Sequence, residues 1–271
     1  MREDTLGDHM KELERVEAGR VLTYPICIRL DGRSFSTFTS GLRRPYDERL
    51  SSLMIDLTKA LVDETNATLG YTQSDEISLV LTAPTDPTTQ GYFGLRAQKI
   101  VSMTAALASV WFARNVDPRI PERAGRSALF DSRAWSVPSL VEAAAVILWR
   151  ELDARKNAIT MAASHYFSVA EIHGKTGAEK IAMLREDGTD FHAYPGFFRR
   201  GTFISRVTIE ATKSFTPEEI ATLPPKHHAR KNPNLIVTRH ALKELDLPSL
   251  AYITNRAAVL FEGAEPIVVE P

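Results

Sequence analysis

From Ile26 to Leu30 apolar and polar positions alternate: Ile26, Ile28 and Leu30 fall on one side of an extended chain, Cys27 and Arg29 on the other. A period of two predicts a strand with one well-buried face. The strand runs into Asp31-Gly32, where glycine allows a tight bend and a close approach to the main chain. The same period returns at Ile77, Leu79 and Leu81 around Ser78 and Val80. Gly70 and Gln73-Ser74 ahead of it predict a hairpin bend carrying Asp75 and Glu76. Between the two strands, Leu50, Leu53, Met54, Leu57, Ala60 and Leu61 recur at helical spacing over residues 47–66.

Further along, Leu95, Ile100, Met103, Leu107 and Trp111 predict a long helix over 92–114, and Ala128 to Trp135 a strand with Asp131 and Arg133 as its polar points. A helix is expected over 138–153, continuing over 157–166 after a break, and one over 5–19 near the start. Thr176 is the expected cap of a helix after His173-Gly-Lys-Thr-Gly177; that run lacks the upstream glycine and spacing of a phosphate loop. Residues 187–200 read as an aromatic loop, 202–210 as a strand, 226–231 as a basic surface loop, and the end of the chain carries no clear pattern. Strand, helix, strand, strand, helix, strand is a split βαβ unit. The expected class is α+β, a two-layer ferredoxin-like palm with an antiparallel sheet and helices on one face. Residues 1–135 form the palm core with its N-terminal helix, and 136–271 a helical and strand extension.

Composition narrows the classes little. Of 271 residues, 44% are hydrophobic and 25% charged, and Lys+Arg 33 against Asp+Glu 34 leaves a net charge of -1. Any nucleic-acid binding therefore rests on local patches. The single cysteine, Cys27, excludes a disulfide framework within the chain and reads as a small buried residue. There is no apolar signal core and no run suited to a membrane span, so a cytoplasmic protein is expected.

The chemistry lies at the strand ends. A strand beside a hairpin brings Asp31 next to Asp75 and Glu76, and clustered carboxylates repel unless a cation lies between them. Oxygen-only ligands suit Mg2+, and two such ions suit an in-line displacement. Arg43 and Arg44 are candidates for a phosphate. Arg96 and Lys99 share one helical face, suited either to a triphosphate or to solvent. Arginines among aromatic residues at 191–200 suit stacking on bases or packing between layers.

Several short pieces then line up in order over about the first 200 residues: Leu6-Gly-Asp-His-Met-Lys11, Arg29-Leu-Asp-Gly-Arg-Ser-Phe35, Tyr71-Thr-Gln-Ser-Asp-Glu76, Phe130-Asp-Ser-Arg133, Trp149-Arg150 with Asp153 and Asn157, Phe167-Ser168, His173-Gly-Lys175 and Arg199-Arg-Gly-Thr202. Jointly they resemble the tRNA-His guanylyltransferase family, nucleotidyltransferases that add nucleotides to tRNA 5′ ends in the 3′-to-5′ direction. The resemblance implies a polymerase-like palm, two Mg2+ ions, and ATP and GTP as substrates. A tRNA 5′-monophosphate is activated with ATP or GTP and then attacked by the 3′-hydroxyl of GTP. By the same resemblance Asp31 and Asp75 carry the metals with the Gly32 carbonyl, and the adjacent Glu76 assists. Asp31, Gly32, Arg33, Ser34, Phe35 and Ser36, with Ser74 and Asp75, hold the nucleotide, and Arg44, Arg96 and Lys99 match triphosphate-binding residues. The extension completes the catalytic domain and contacts tRNA through Arg155, Asn157, Arg199 and Arg200. A homotetramer is implied too. Where eukaryotic members carry His-Ile-Asn-Asn-Leu-Tyr-Asn, this chain reads Arg155-Lys-Asn-Ala-Ile-Thr-Met161. That departure resembles the bacterial and phage-type guanylyltransferase-like proteins, which are associated with templated repair of 5′-truncated tRNAs.

Two other classes compete. A covalent nucleotidyltransferase of the Lys-x-Asp-Gly type would need a lysine where Arg29 stands, and a guanidinium is a poor nucleophile. A non-catalytic RNA-binding palm would have no use for Asp31, Asp75 and Glu76 together.

Overall fold

The computed structural model describes residues 9–13, 19–86, 88–126 and 128–269. Residues 9–13 are helical, and the rest of the helix expected over 5–19, apart from Gly19, lies outside the described residues. Six strands make the frame: β1 (Ile26–Gly32), β2 (Leu69–Gln73), β3 (Glu76–Leu81), β4 (Phe130–Ser136), β5 (Thr202–Ser214) and β6 (Asn234–Leu245). They form one sheet in the order β4-β1-β3-β2-β5-β6. Every neighbouring pair is antiparallel, and both halves of the chain supply strands.

The period of two in β1 sorts its residues between two cores. Ile26, Ile28 and Leu30 pack with Ile77, Leu79 and Leu81 beneath two helices, α2 (Glu48–Thr65) and α3 (Ala97–Arg119). Before them, the short α1 (Phe35–Thr39) drops Phe35 and Phe38 into the same core against Phe112 and Phe130. Cys27, on the other side, joins Val80, Tyr71 and Phe203 beneath α4 (Leu140–Tyr166). Burial there pushes the Cys27 thiol up to about 12. The palm helices thus cover one face, as expected, and the extension covers part of the other.

Three boundaries differ from the sequence reading. Phe93, Gly94 and Leu95 have positive φ, so the long helix starts at Ala97 rather than Tyr92; it runs on to Arg119, past the end expected at residue 114. No break divides residues 138–166: Ala143, Ala144, Ala154, Ala158, Ala162 and Ala163 keep one side of α4 small and buried through the polar stretch Arg155-Lys156-Asn157. Arg and Lys are good helix formers, so their charge does not interrupt the helix. The strand expected to stop near residue 210 continues to Ser214, because β6 pairs with it from Phe203↔Leu245 to Ser214↔Asn234.

The remaining elements are short: α5 (Val169–Ile172), α6 (Gly177–Glu186), α7 (Gly196–Arg200), α8 (Pro217–Thr222) and α9 (Arg256–Phe261). Thr176 does cap α6, in a reciprocal capping box with Glu179. Among the described residues no helix is long and apolar enough to cross a membrane.

Candidate active site

The ends of β1, β3 and β4 meet in a row of acids. Asp31 lies opposite Glu76 across one ladder and opposite Asp131 across the other. Residues opposite one another share a face of the sheet; here it is the face covered by α4, since Arg29, two residues back, lies over the Trp149 ring at 5.6 Å. Asp131 is exposed and paired with Arg133 at 3.4 Å. Glu76 is buried and held by Arg150, with Nη2 to Oε2 at 2.8 Å and a shorter contact from Nε to Oε1 at 2.5 Å. Arg29 adds a longer contact at 4.0 Å, and Arg150 also reaches Asp153 at 2.8 Å.

Among the described residues Asp75 has no such partner. It occupies the β2–β3 turn, where Ser74 adopts left-handed geometry with a φ of 50°. The Ser74 hydroxyl donates to Asp75 Oδ1 at 3.0 Å. The Gly32 N–H donates to the Asp75 carbonyl at 3.2 Å, which ties the turn to the end of β1. A side chain at Gly32 would overlap the Phe35 ring at 2.4 Å and crowd the Asp75 Cβ at 3.0 Å, so glycine is what lets the two aspartates approach. Burial lifts the Asp75 carboxyl above its ordinary range, and the negative charge of Asp31 lifts it further. Burial also raises the Glu76 carboxyl, and Arg150 and Arg29 offset this only in part.

Asp31 and Asp75 open into a cleft of about 510 Å³ whose other wall is α4, through Arg150, Asp153, Lys156, Asn157, Thr160 and Met161. Gln73, Ser74, Asn157 and Met161 also line an inner cleft that adds Arg43, Arg44, Leu50, Phe197 and Phe198. Asp47, at its edge, caps α2 and accepts from Arg49 Nη2 at 2.7 Å, which holds its carboxyl down at about 2.

Among the described residues no group of three or more His, Cys, Asp or Glu side chains is arranged to hold an ion. Two facing aspartates beside a backbone turn fit Mg2+ better than a cation that needs a full protein cage, because Mg2+ keeps waters and takes phosphate oxygens. Burial first and the charge of Asp31 second raise the Asp75 carboxyl, and a divalent cation would oppose both.

The sequence-based candidates divide. Asp31, Ser74, Asp75, Asn157 and Arg44 come together around the two clefts. Arg33, Ser34 and Ser36 are exposed on the turn and first helical residues after β1. Phe35 is a core residue. Glu76 lines the cleft, with its carboxylate held by Arg150. Arg96 and Lys99 line neither cleft. Arg96 lies at the other end of the sheet, bridged to Val21, whereas the turn of α3 level with Asp31 is that of Ser109, which accepts from the Phe130 N–H. At 1.5 Å per helical residue they are about 15–20 Å away along α3. Arg155 is exposed and lines neither cleft. The Arg199 Nε donates to the Tyr194 carbonyl and an Arg200 Nη donates to the Leu247 carbonyl at 2.6 Å, so both guanidiniums hold the chain together. Gln73 and Arg150 stood within the matching pieces of sequence and Lys156 within the departing one, but none was given a role in the site there. The i, i+3 spacing of Arg150, Asp153 and Lys156 on one helix was the available signal.

Residues 7–138 match the model of the family described as Thg1, tRNAHis guanylyltransferase. A bacterial tRNA(His) guanylyltransferase (Thg1)-like protein, solved in complex with ATP, is 33% identical, with a TM-score of 0.69 over 74% of this chain and 88% of that one. The chain belongs to the tRNA-His guanylyltransferase family. It is a nucleotidyltransferase, and its antiparallel palm is the family's fold. A bacterial relative of the same description, in complex with GTP, is 27% identical over 88% of this chain and 90% of that one, with a TM-score of 0.64. The tRNA(His) guanylyltransferase of Neurospora crassa is 24% identical over 239 residues, 78% of this chain and 77% of its own. For a family that handles nucleoside triphosphates in two of these structures, the two adjoining clefts beside the aspartate pair are the relevant surface.

Proposed function

We propose that this protein adds nucleotides to the 5′ ends of tRNA in the 3′-to-5′ direction, choosing each by pairing with the opposite strand. The observation that carries the reading is the Asp31–Asp75 pair: two carboxylates that line one cleft at the strand ends, tied together through the Gly32 N–H on the Asp75 carbonyl. Asp31 and Asp75 would hold Mg2+. When bound, it supplies charge neutralisation for the phosphates and a lowered pKa for a hydroxyl that it contacts.

The chain's own residues do the rest. The activating nucleotide, ATP or GTP, transfers its nucleoside monophosphate to the tRNA 5′-phosphate and releases pyrophosphate. The 3′-hydroxyl of the incoming nucleoside triphosphate then attacks that phosphate, loses its proton, and expels the nucleoside monophosphate. Lys156 and Arg44, at the walls of the two clefts, place positive charge where triphosphates would lie. Leu50, Phe197 and Phe198 offer an apolar surface to a base in the inner cleft. Arg150 answers the charge of Glu76 and so leaves Asp31 and Asp75 as the two carboxylates for a cation.

The templated reading rests on Arg155 to Met161, which departs from the eukaryotic signature while Lys156, Asn157 and Met161 line the carboxylate cleft. Specificity then comes from the base pair, and basic side chains contribute phosphate contacts. Labelled nucleotides, Mg2+ and a tRNA lacking its first 5′ nucleotide test this. With C opposite the gap the product gains G; with A opposite it gains U. Addition of G whatever base lies opposite would replace templated repair by untemplated addition. No incorporation into any tRNA would remove the reading itself.

A further inference from the structure

Beyond the inner cleft lies an outer one, with a volume of about 330 Å³, built from the α1–α2 connection, the C-terminal end of α4 and the loop before α7. Arg43, Arg44, Pro45 and Tyr46 line both clefts. Since the inner cleft in turn shares Gln73, Ser74, Asn157 and Met161 with the carboxylate cleft, one continuous groove leads from the aspartates to the outer mouth. Of the residues lining its outer third, only Arg44 has a nucleotide role above.

The composition of that outer third is distinctive. Its lining carries Arg43, Arg44 and His165 against one acid, Glu48, among the described residues. Both arginines are exposed, and among the described residues neither guanidinium has a hydrogen bond or ion pair. Three tyrosines, Tyr46, Tyr166 and Tyr194, supply rings. Tyr46 is fixed in place by Phe198 at 4.8 Å and Phe197 at 5.3 Å, and it forms the partition between the two clefts. Tyr166 is 45% exposed, with His165 against its edge at 4.8 Å. Tyr194 sets its ring edge-on against Phe198 at 5.3 Å and Tyr46 at 6.1 Å.

Unpaired cations beside rigid rings suit single-stranded nucleic acid: each base offers a face to stack on, and each phosphate a charge. A second free nucleotide would fit the same chemistry, but two features favour a strand. The cleft is the far end of a groove whose near end takes the reacting 5′ terminus, and it has no counterpart of the aspartate pair to hold a metal-bound triphosphate. We infer that the outer cleft at Arg43, Tyr46, His165, Tyr166 and Tyr194 binds an unpaired nucleotide of the RNA substrate, from the single-stranded 3′ tail opposite the 5′ end being extended. The inference rests on the proposed action at an RNA 5′ end and adds a site for the other strand. Holding the tail there keeps it from competing for the inner cleft and fixes the register of the stem over Asp31 and Asp75.

The test is a ratio of affinities. Fluorescence anisotropy with the full chain compares two labelled acceptor-stem hairpins, one with an unpaired 3′ tail and one blunt. The wild-type protein binds the tailed hairpin about tenfold tighter, the size expected for one stacked base. In the His165→Ala/Tyr166→Ala double variant the advantage of the tail disappears, and in Tyr166→Phe, which keeps the ring, it remains. Both positions are exposed at the end of α4, and a thermal melt checks that the fold is kept. Equal affinity of the wild type for the two hairpins would overturn the inference, as would an undiminished tail advantage in the double variant. A matching loss of affinity for free ATP in the double variant would assign the cleft to a mononucleotide and overturn it as well. These are binding measurements, so a wild-type protein that adds no nucleotide would count against the proposed activity and leave this result standing.

Discussion

Asp75 and Glu76 are consecutive, both acidic, both with a carboxyl pKa raised by burial and by Asp31, yet among the described residues only Glu76 is met by arginines. Glu76 begins β3, so its side chain is directed by the pleat onto the α4 face, where Arg150 meets it in two hydrogen bonds. Asp75 sits in the turn one residue earlier, tied by its carbonyl to Gly32 and facing Asp31. The first acid has its charge answered inside the fold and serves stability. The second has its charge opposed by another acid and is left for something outside the chain. A carboxylate becomes a site through what the fold withholds from it, and one step of backbone is enough to decide.

The comparison breaks most visibly in activity. Asp31→Asn or Asp75→Asn should lower the rate of nucleotide addition by about three to four orders of magnitude, roughly 4–5 kcal/mol of transition-state stabilisation, in single-turnover assays on folded protein. A variant within tenfold of wild type at either position would end the assignment. On the Glu76 side the expected loss is in stability. Arg150→Ala leaves a buried, unpaired carboxylate and should cost about 3–5 kcal/mol in urea unfolding. Glu76→Gln/Arg150→Met, which removes both charges, should recover much of that; equal losses in the single and double variants would show that the pair's charge is not what matters.

Smaller effects sharpen the difference. Gly32→Ala should cost about 1–3 kcal/mol, because Phe35 and Asp75 must both move, and it should lower activity by spreading the aspartate pair. The smallest effect is on pH dependence. Asp75 has a raised carboxyl pKa in the fold, so the native chain binds more protons than the unfolded one above the ordinary aspartate value of 3.8. Stability therefore falls as pH rises through that window, until a cation is added. Asp75→Asn removes this slope and should stabilise the metal-free protein by about 0.5–1 kcal/mol at neutral pH, the usual trade between stability and a functional group. Thermal melts with and without Mg2+ check it: Mg2+ should raise the midpoint of the wild type and leave that of the variant in place.

Much of the palm was legible in the chain. The alternation in β1 and β3 assigned their faces, and the helical spacing of Leu53, Met54, Leu57 and Leu61 gave α2 nearly to its ends. The end of the chain was not legible, because β5 and β6 extend well past β2 and large parts of both stay exposed; without a buried face the apolar alternation that marks a strand is weak. Similarly, a polar stretch at Arg155-Lys156-Asn157 looked like a break because the alanines packing on the other side of α4 carry little hydrophobic signal.

The site divides along the same line. Sequence by itself determined the acids, the glycine between them and the strand-turn-helix order that brings Asp31 to the hairpin, since these depend on local backbone preferences and on a period of two. It could not say which acid is answered. That depended on Arg150, 74 positions away in the chain, arriving over Glu76. Nor could it separate one basic cluster from another. Arg96 and Lys99 share a helical face as their spacing requires, but the direction in which α3 crosses the sheet carries that face to the far end. Arg43 and Arg44 gained their setting only when α4 and the loop before α7 brought Tyr166 and Tyr194 beside them. Spacing along a chain fixes which side chains share a face, whereas which faces meet is set by long-range packing, and only the tertiary structure decides it.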